Sequence, residues 1–227
     1  MRKGKTGRTV LLAGATGTIG RATAQALVEA GHDALCVVRP GRGAGLPEGV
    51  RVVEAVVTDP ASLRGVQGFD AVISCLASRT GAPRDAWAIE HAAQANLLVR
   101  AKEVGAEPFV LLSAICVQKP LLEFQKAKRA FERALQEGGV AWSIVRPTAF
   151  FKSLSGQVGR VQAGKPFLLF GDGALTACKP ISDGDLARYL VRCLDDASLQ
   201  NRILPIGGPG PALTPREQGE ALFAAFG

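Results

Sequence analysis

The run Thr9-Val10-Leu11-Leu12-Ala13 is short, apolar and uncharged, and the chain passes directly from it into Gly14-Ala15-Thr16-Gly17-Thr18-Ile19-Gly20. A run of this length and composition suits a parallel strand buried on both faces. Arg21 to Ala30 has the composition of a helix, and Gly31 follows as a stop. Gly14, Gly17 and Gly20 then have three separate tasks: a tight turn, a close approach of backbone to a pyrophosphate, and close packing of helix on sheet. The start of the helix offers N–H donors and the positive end of its dipole to phosphate groups. Thr16, Thr18 and Ile19 lie between the glycines and belong to the same candidate site. A glycine triplet alone is weak evidence; strand, turn and helix in this order make it strong.

The end of the next strand, Asp33-Ala34-Leu35-Cys36-Val37-Val38, bears on which nucleotide is held. A cofactor without a 2′-phosphate calls for a carboxylate there. This chain has Arg39, with Arg42 three residues on. A guanidinium suits a 2′-phosphate, so the expectation is NADPH rather than NADH. The competing explanation is a solvated loop charge, since surface arginines are common.

Strands and helices alternate through the first two thirds of the chain. Further strands are expected over 50–57, 71–78, 109–115 and 141–145, with a long helix over about 85–103 and another over about 121–137. Such alternation implies an α/β fold: a doubly wound, mostly parallel Rossmann sheet with a small C-terminal substrate lobe. Residues 1–8 read as a basic tail, 9–151 as the NADP-binding domain and 152–227 as a substrate lobe packed on the same sheet. The crevice rule places a ligand outside the carboxyl ends of the strands. That gathers Asp59, Cys75, Leu76, Ala77, Ser113, Pro147 and Phe150 with the glycine turn and Arg39. Asp59 is equally suited to capping a turn. After residue 151 the pattern loosens. Lys165 to Gly173 reads as a short strand with a turn, Ser182 as the cap of a helix over about 183–194, Ile203 to Ile206 as a strand, and Thr214-Pro215 as the start of a last helix.

A formal net charge of +7 fits an anionic cofactor and an acidic substrate. No basic stripe interleaved with aromatics occurs, so nucleic acid is not expected as a partner. The five cysteines have no framework or metal-ligand spacing, and the two histidines add none, so free thiols and no protein-bound metal are expected. No stretch approaches a membrane span and no secretory signal is evident, which suggests a cytoplasmic protein.

Ser113 ends one strand, and the next helix holds Phe124-Gln125-Lys126-Ala127-Lys128. In short-chain dehydrogenases and reductases the corresponding pattern is Ser or Thr, then Tyr-x-x-x-Lys. There the tyrosine protonates a carbonyl oxygen and the lysine holds the nicotinamide ribose. Here the tyrosine position is Phe124, while Lys128 and Ser113 remain. An alcohol or ketone enzyme needs an acid at the oxygen. Hydride addition to a conjugated carbon–carbon double bond does not.

Ser74-Cys75-Leu76-Ala77-Ser78-Arg79-Thr80-Gly81, the block Val110 to Lys128, Ser143 to Leu154, Ala177 to Ser182, and Leu204 to Gly210 closely resemble the NADPH-dependent divinyl chlorophyllide 8-vinyl reductases, atypical short-chain reductases of (bacterio)chlorophyll synthesis. The resemblance runs from about Val10 to Phe223. It implies reduction of the ring-B vinyl group of a divinyl chlorophyllide or protochlorophyllide, carrying its own Mg, to ethyl. It also implies no flavin and no iron–sulfur cluster, and a place in the bacterial cytoplasm near the photosynthetic membrane, with peripheral association compatible. Phe150, Phe151, Leu154, Phe167 and Phe170 are candidates to wall a flat macrocycle, and Lys152 and Lys179 to pair with a propionate. Members of that family extend well beyond such a last helix. Should this chain stop at Gly227, part of the substrate wall is expected to be missing or to come from a second subunit. The missing tyrosine also suits a different class, an NADP(H)-sensing regulator of the NmrA type, or an assembly protein on the same fold.

Overall fold

A computed structural model describes residues 7–226, with the side chains of Ser153 and Leu154 left outside the description. Most of the expected basic tail, residues 1–6, lies outside the described residues. Seven strands form one sheet: β1 (Thr9–Ala13), β2 (Asp33–Val38), β3 (Arg51–Glu54), β4 (Ala71–Ser74), β5 (Phe109–Leu112), β6 (Trp142–Pro147) and β7 (Arg202–Ile206). Their order is β3-β2-β1-β4-β5-β6-β7 and every pairing is parallel. The order reverses direction beside β1, which sets the ligand crevice between the ends of β1 and β4.

The helices are α1 (Thr18–Glu29), α2 (Pro60–Leu63), α3 (Pro83–Ala86), α4 (Gln94–Val104), α5 (Glu123–Gln136), α6 (Phe151–Leu154), α7 (Val158–Gln162), α8 (Asp183–Asp195) and α9 (Pro215–Phe226). Alternation along the buried strands divides the core in two. Val10, Leu12, Ala34, Cys36, Ile73, Val110 and Val145 face α1 and α8. Leu11, Ala13, Leu35, Val37, Val72, Phe109, Leu111 and Ile144 face α4 and α5. α8 buries Leu186, Leu190 and Leu194 completely, which at about 1.5–3 kcal/mol per side chain is ample to fix one helix on the sheet. α8 and β7, within the stretch expected as a substrate lobe packed on the same sheet, are integral to the Rossmann layer. What stands outside the layer is the chain over 151–182 and after β7.

Local signals act as the sequence implies at several ends. Ser182 Oγ accepts from Asp185 N at 3.0 Å to start α8. Thr214 and Glu217 form a reciprocal cap at α9, with Thr214 N donating to Glu217 Oε2 at 2.7 Å and Glu217 N to Thr214 Oγ1 at 3.2 Å. The long helix expected over 85–103 is not regular: a π-helix over Trp87–Ala93 separates α3 from α4. The strand expected over 165–173 does not form. There the amide of Gln157 donates to Leu168 O at 2.9 Å and accepts from Leu168 N at 2.7 Å, so a side chain takes the place of a neighbouring strand.

Candidate functional site

The turn after β1 is built as a phosphate cradle. Gly14 has φ of +78°, and a Cβ there would lie 2.6 Å from the Cys75 backbone, so the position excludes side chains twice over. A Cβ at Gly20 would lie 2.0 Å from Gly14 O, the close helix-to-turn packing expected of the third glycine. Gly17 is the N-cap of α1. No side chain caps that terminus, and no acidic residue sits in its first turn. Thr18, Ile19 and Gly20 form that first turn, so their backbone N–H groups point out of the helix end.

Beside the turn lies a cleft of about 340 Å³ lined by Gly14, Thr16, Gly17, Arg39, Cys75, Leu76 and Ala77, all expected site residues. Val38, Ala55, Val57, Arg79 and Asp85 are also among its walls. Arg39 and Arg79 are both exposed there, two guanidinium groups in one cleft. Asp85 is held below the usual carboxylate range, first by the backbone N–H of Thr80 and then by its hydroxyl, with Arg79 adding a smaller attraction. Arg79 was not singled out by the sequence, because nothing local to residue 79 shows that the loop after β4 folds back toward Arg39. Asp59, read as either a site residue or a turn cap, accepts from Ala61 N at 2.9 Å and caps α2, and the nearby Ala55 and Val57 line the cleft.

Ser113 and Lys128 both lie on the α4/α5 side of the sheet. Ser113 extends β5, its N–H donating to Val145 O at 2.8 Å, and its buried hydroxyl has no hydrogen-bond partner. Lys128 lies on α5 with its side chain only 11% exposed and its Nζ 2.8 Å from Glu90 Oε2. Glu90 Oε1 accepts from both Ser78 N and Ser78 Oγ at 2.8 Å. Sequence reasoning missed Glu90 because its position depends on the π-helix. Phe124, one turn before Lys128, abuts the loop after β4: a Cβ at Gly81 would lie 3.9 Å from its ring. Below this group Arg146 and Glu132 form a buried two-bond pair, Nε to Oε1 at 3.0 Å and Nη2 to Oε2 at 2.5 Å.

The expected substrate residues divide. Pro147 is buried at the end of β6, and Phe150 is half-buried against the α1/α8 core. Phe151 and Phe170 are exposed, and Phe167 packs on α9 at Gly219. The side chain of Leu154 lies outside the described residues. Lys152 is exposed, and its Nζ donates to Thr18 Oγ1 at 2.5 Å, at the start of α1. Lys179 is exposed, and its carbonyl accepts the hydroxyl of Thr148.

A parallel sheet, an uncapped helix start beside a glycine turn, two arginines lining the cleft beside it, and a buried serine and a buried lysine on one side of the sheet define a dinucleotide-binding Rossmann protein, and these residues fit a nicotinamide dinucleotide. Residues 14–197 match the NAD(P)H-binding family, and the chain belongs to that family. The fold matches UDP-glucose 4-epimerase of Thermotoga maritima with a TM-score of 0.83 at 18% identity, over 96% of this chain and 82% of that one. The chain is 50% identical to divinyl chlorophyllide a 8-vinyl-reductase of Oryza sativa subsp. indica, over 96% of its own length and 59% of the rice protein. It thus spans about three fifths of that relative. It is also 33% identical to (4-alkanoyl-5-oxo-2,5-dihydrofuran-3-yl)methyl phosphate reductase of Streptomyces griseus, over 96% of this chain and 74% of that protein.

Proposed function

We propose that the chain is an NADPH-dependent reductase of the 8-vinyl group of divinyl chlorophyllide or protochlorophyllide. The observation that supports this most is the pairing of a retained Lys128 and Ser113 with a phenylalanine at 124, in a chain half identical to the rice 8-vinyl reductase. When bound, NADPH supplies hydride. Lys128 and Ser113 hold the nicotinamide ribose end, the start of α1 and Lys152 hold the pyrophosphate, and Arg39 with Arg79 holds the 2′-phosphate. The conjugated vinyl group presents no oxygen for an acid to protonate, so Phe124 contributes an apolar wall where carbonyl reductases place a phenol. Alignment and exclusion of water are then the main tasks of the protein.

The test incubates purified protein with NADPH and divinyl chlorophyllide and follows the monovinyl product by chromatography and mass. Product formation with NADPH and little with NADH is the expected outcome. Tight NADPH binding with no turnover would instead favour a sensor. The protochlorophyllide substrate, run in parallel, identifies the preferred macrocycle.

A further inference from the structure

Four buried side-chain atoms have no hydrogen bond among the described residues: Ser74 Oγ, Glu90 Oε2, Gln94 Oε1 and Ser113 Oγ. All four lie on the α4/α5 side of the sheet. Ser74 follows Val72 and Ser113 follows Leu111 in strand alternation, while Glu90 and Gln94 come from the π-helix and the first turn of α4. Glu90 is the one charged member. Its two oxygens serve two different elements, Ser78 in the loop after β4 and Lys128 on α5. The contact with Lys128 is an ion pair at 2.8 Å whose angle lies outside hydrogen-bond geometry, so Oε2 holds the ammonium without saturating its donors. The lysine keeps N–H groups for another acceptor.

A buried carboxylate is costly unless it is paired, and π-turns inside helices are found mostly at functional sites. Glu90 meets both descriptions, lying 2% exposed within Trp87–Ala93. The loop that it anchors through Ser78 also contains Cys75, Leu76, Ala77 and Arg79, the wall of the dinucleotide cleft. We infer that Glu90 is a positioning residue: it fixes the ammonium of Lys128 for the coenzyme ribose and ties that lysine to the loop that walls the cleft. The inference rests on Lys128 being the ribose-binding lysine of the proposed reductase.

The test is a double-mutant cycle in NADPH affinity, read from nicotinamide fluorescence, with Glu90→Gln, Lys128→Met and the two combined. Glu90→Gln is expected to weaken NADPH by about tenfold, Lys128→Met by at least as much, and the double variant by no more than about twofold beyond Lys128→Met, because Glu90 acts through the lysine. A Glu90→Gln affinity within about twofold of the parent, or a double variant in which the two losses multiply, overturns the inference. A merely structural Glu90 would give multiplying losses. If Glu90→Gln does not fold, Glu90→Asp keeps the charge and withdraws it by one methylene; a loss of about fivefold supports the inference, and parental affinity overturns it. The cycle needs no macrocycle. Absence of vinyl reduction with an intact cycle therefore removes the reductase reading and leaves Glu90 in place.

Discussion

The two sides of the sheet are built from different chemistry. On the α1/α8 side the buried polar groups are few and satisfied: Thr23 donates to Ile19 O at 2.8 Å, and Ser143 to Leu199 O at 2.9 Å. The rest of that core is aliphatic, with the buried thiols of Cys36 and Cys193. The α4/α5 side holds the Glu90–Lys128 and Glu132–Arg146 pairs and every buried side-chain atom without a hydrogen bond found among the described residues. Buried polar groups are ordinarily hydrogen-bonded, so a cluster of exceptions on one side calls for an explanation. Both sides bury apolar side chains, and only the α4/α5 side adds buried polar groups whose bonds are incomplete, at the cost of some stability.

The largest expected effect tests that contrast directly. Arg146→Met removes one partner of the buried Glu132 pair and leaves a carboxylate uncompensated; loss of about 3–5 kcal/mol in urea unfolding is expected. Adding Glu132→Leu should recover most of it, since replacing both partners with packed apolar groups is often neutral. A single variant as stable as the parent would mean that the two sides do not differ in this way.

A smaller effect belongs to the open cleft. Arg39 is exposed, so its removal costs no core packing. Arg39→Asp is expected to weaken NADPH by about 1.5–3 kcal/mol, the range of a charged hydrogen bond, with unchanged thermal stability and little change for NADH. Equal losses for both coenzymes would make Arg39 structural and leave Arg79 as the 2′-phosphate ligand.

Most of the sheet is legible in the sequence because its strands are continuous apolar runs and two-sided burial leaves little choice of register. The glycine turn is legible for the same reason: Gly14 and Gly20 answer backbone demands that no other residue meets. Arg39, Ser113 and Lys128 are legible as positions but not as partners. What is hidden depends on chain path. The widening at Trp87–Ala93 has no marker in its composition, and Glu90, which pairs with Lys128, lies within it. The start of α5 falls at Glu123 rather than 121 because Gln125 Oε1 accepts from Leu121 N at 2.8 Å and Leu122 N at 2.9 Å, holding both outside the helix. The contact of Lys152 with Thr18 joins residues 134 positions apart, which no local pattern marks.

The α1/α8 side has its own liability, in alkali. Burial pushes the Cys36 thiol up to about 11 and the Cys75 and Cys193 thiols up to about 12, from an ordinary value of 9.0. All three pack with the α1/α8 core. Raised values mean that these groups contribute stability in full below about pH 9, and that it is lost as pH rises from there toward the folded values. Each thiol contributes a slope of at most about 1.4 kcal/mol per pH unit in that window. Urea midpoints between about pH 8 and 10 should therefore fall, and Cys36→Ala should fall less steeply than the parent. An unchanged slope in Cys36→Ala would show that Cys36 takes no part in the alkaline loss.

The smallest expected effect is the most specific to the reaction. Phe124 and Lys128 lie one turn apart on α5, the ring against the loop at Gly81 and the ammonium against Glu90. Phe124→Tyr adds one hydroxyl at the position where carbonyl-reducing relatives keep their acid. If the substrate is an alkene, that hydroxyl meets no developing charge on oxygen, and only interactions stronger in the transition state raise kcat. Turnover of divinyl chlorophyllide should then stay within about twofold of the parent, since acid catalysis, ordinarily about 10²–10⁴-fold, has nothing to act on. A gain of that size on the vinyl substrate would mean that proton delivery limits the rate and that a donor at position 124 of α5 can supply it. The same variant assayed on a small ketone sharpens the contrast: carbonyl reduction appearing there, with vinyl reduction unchanged, would show that the Ser113–Lys128 frame is common to both chemistries and that residue 124 alone chooses between them.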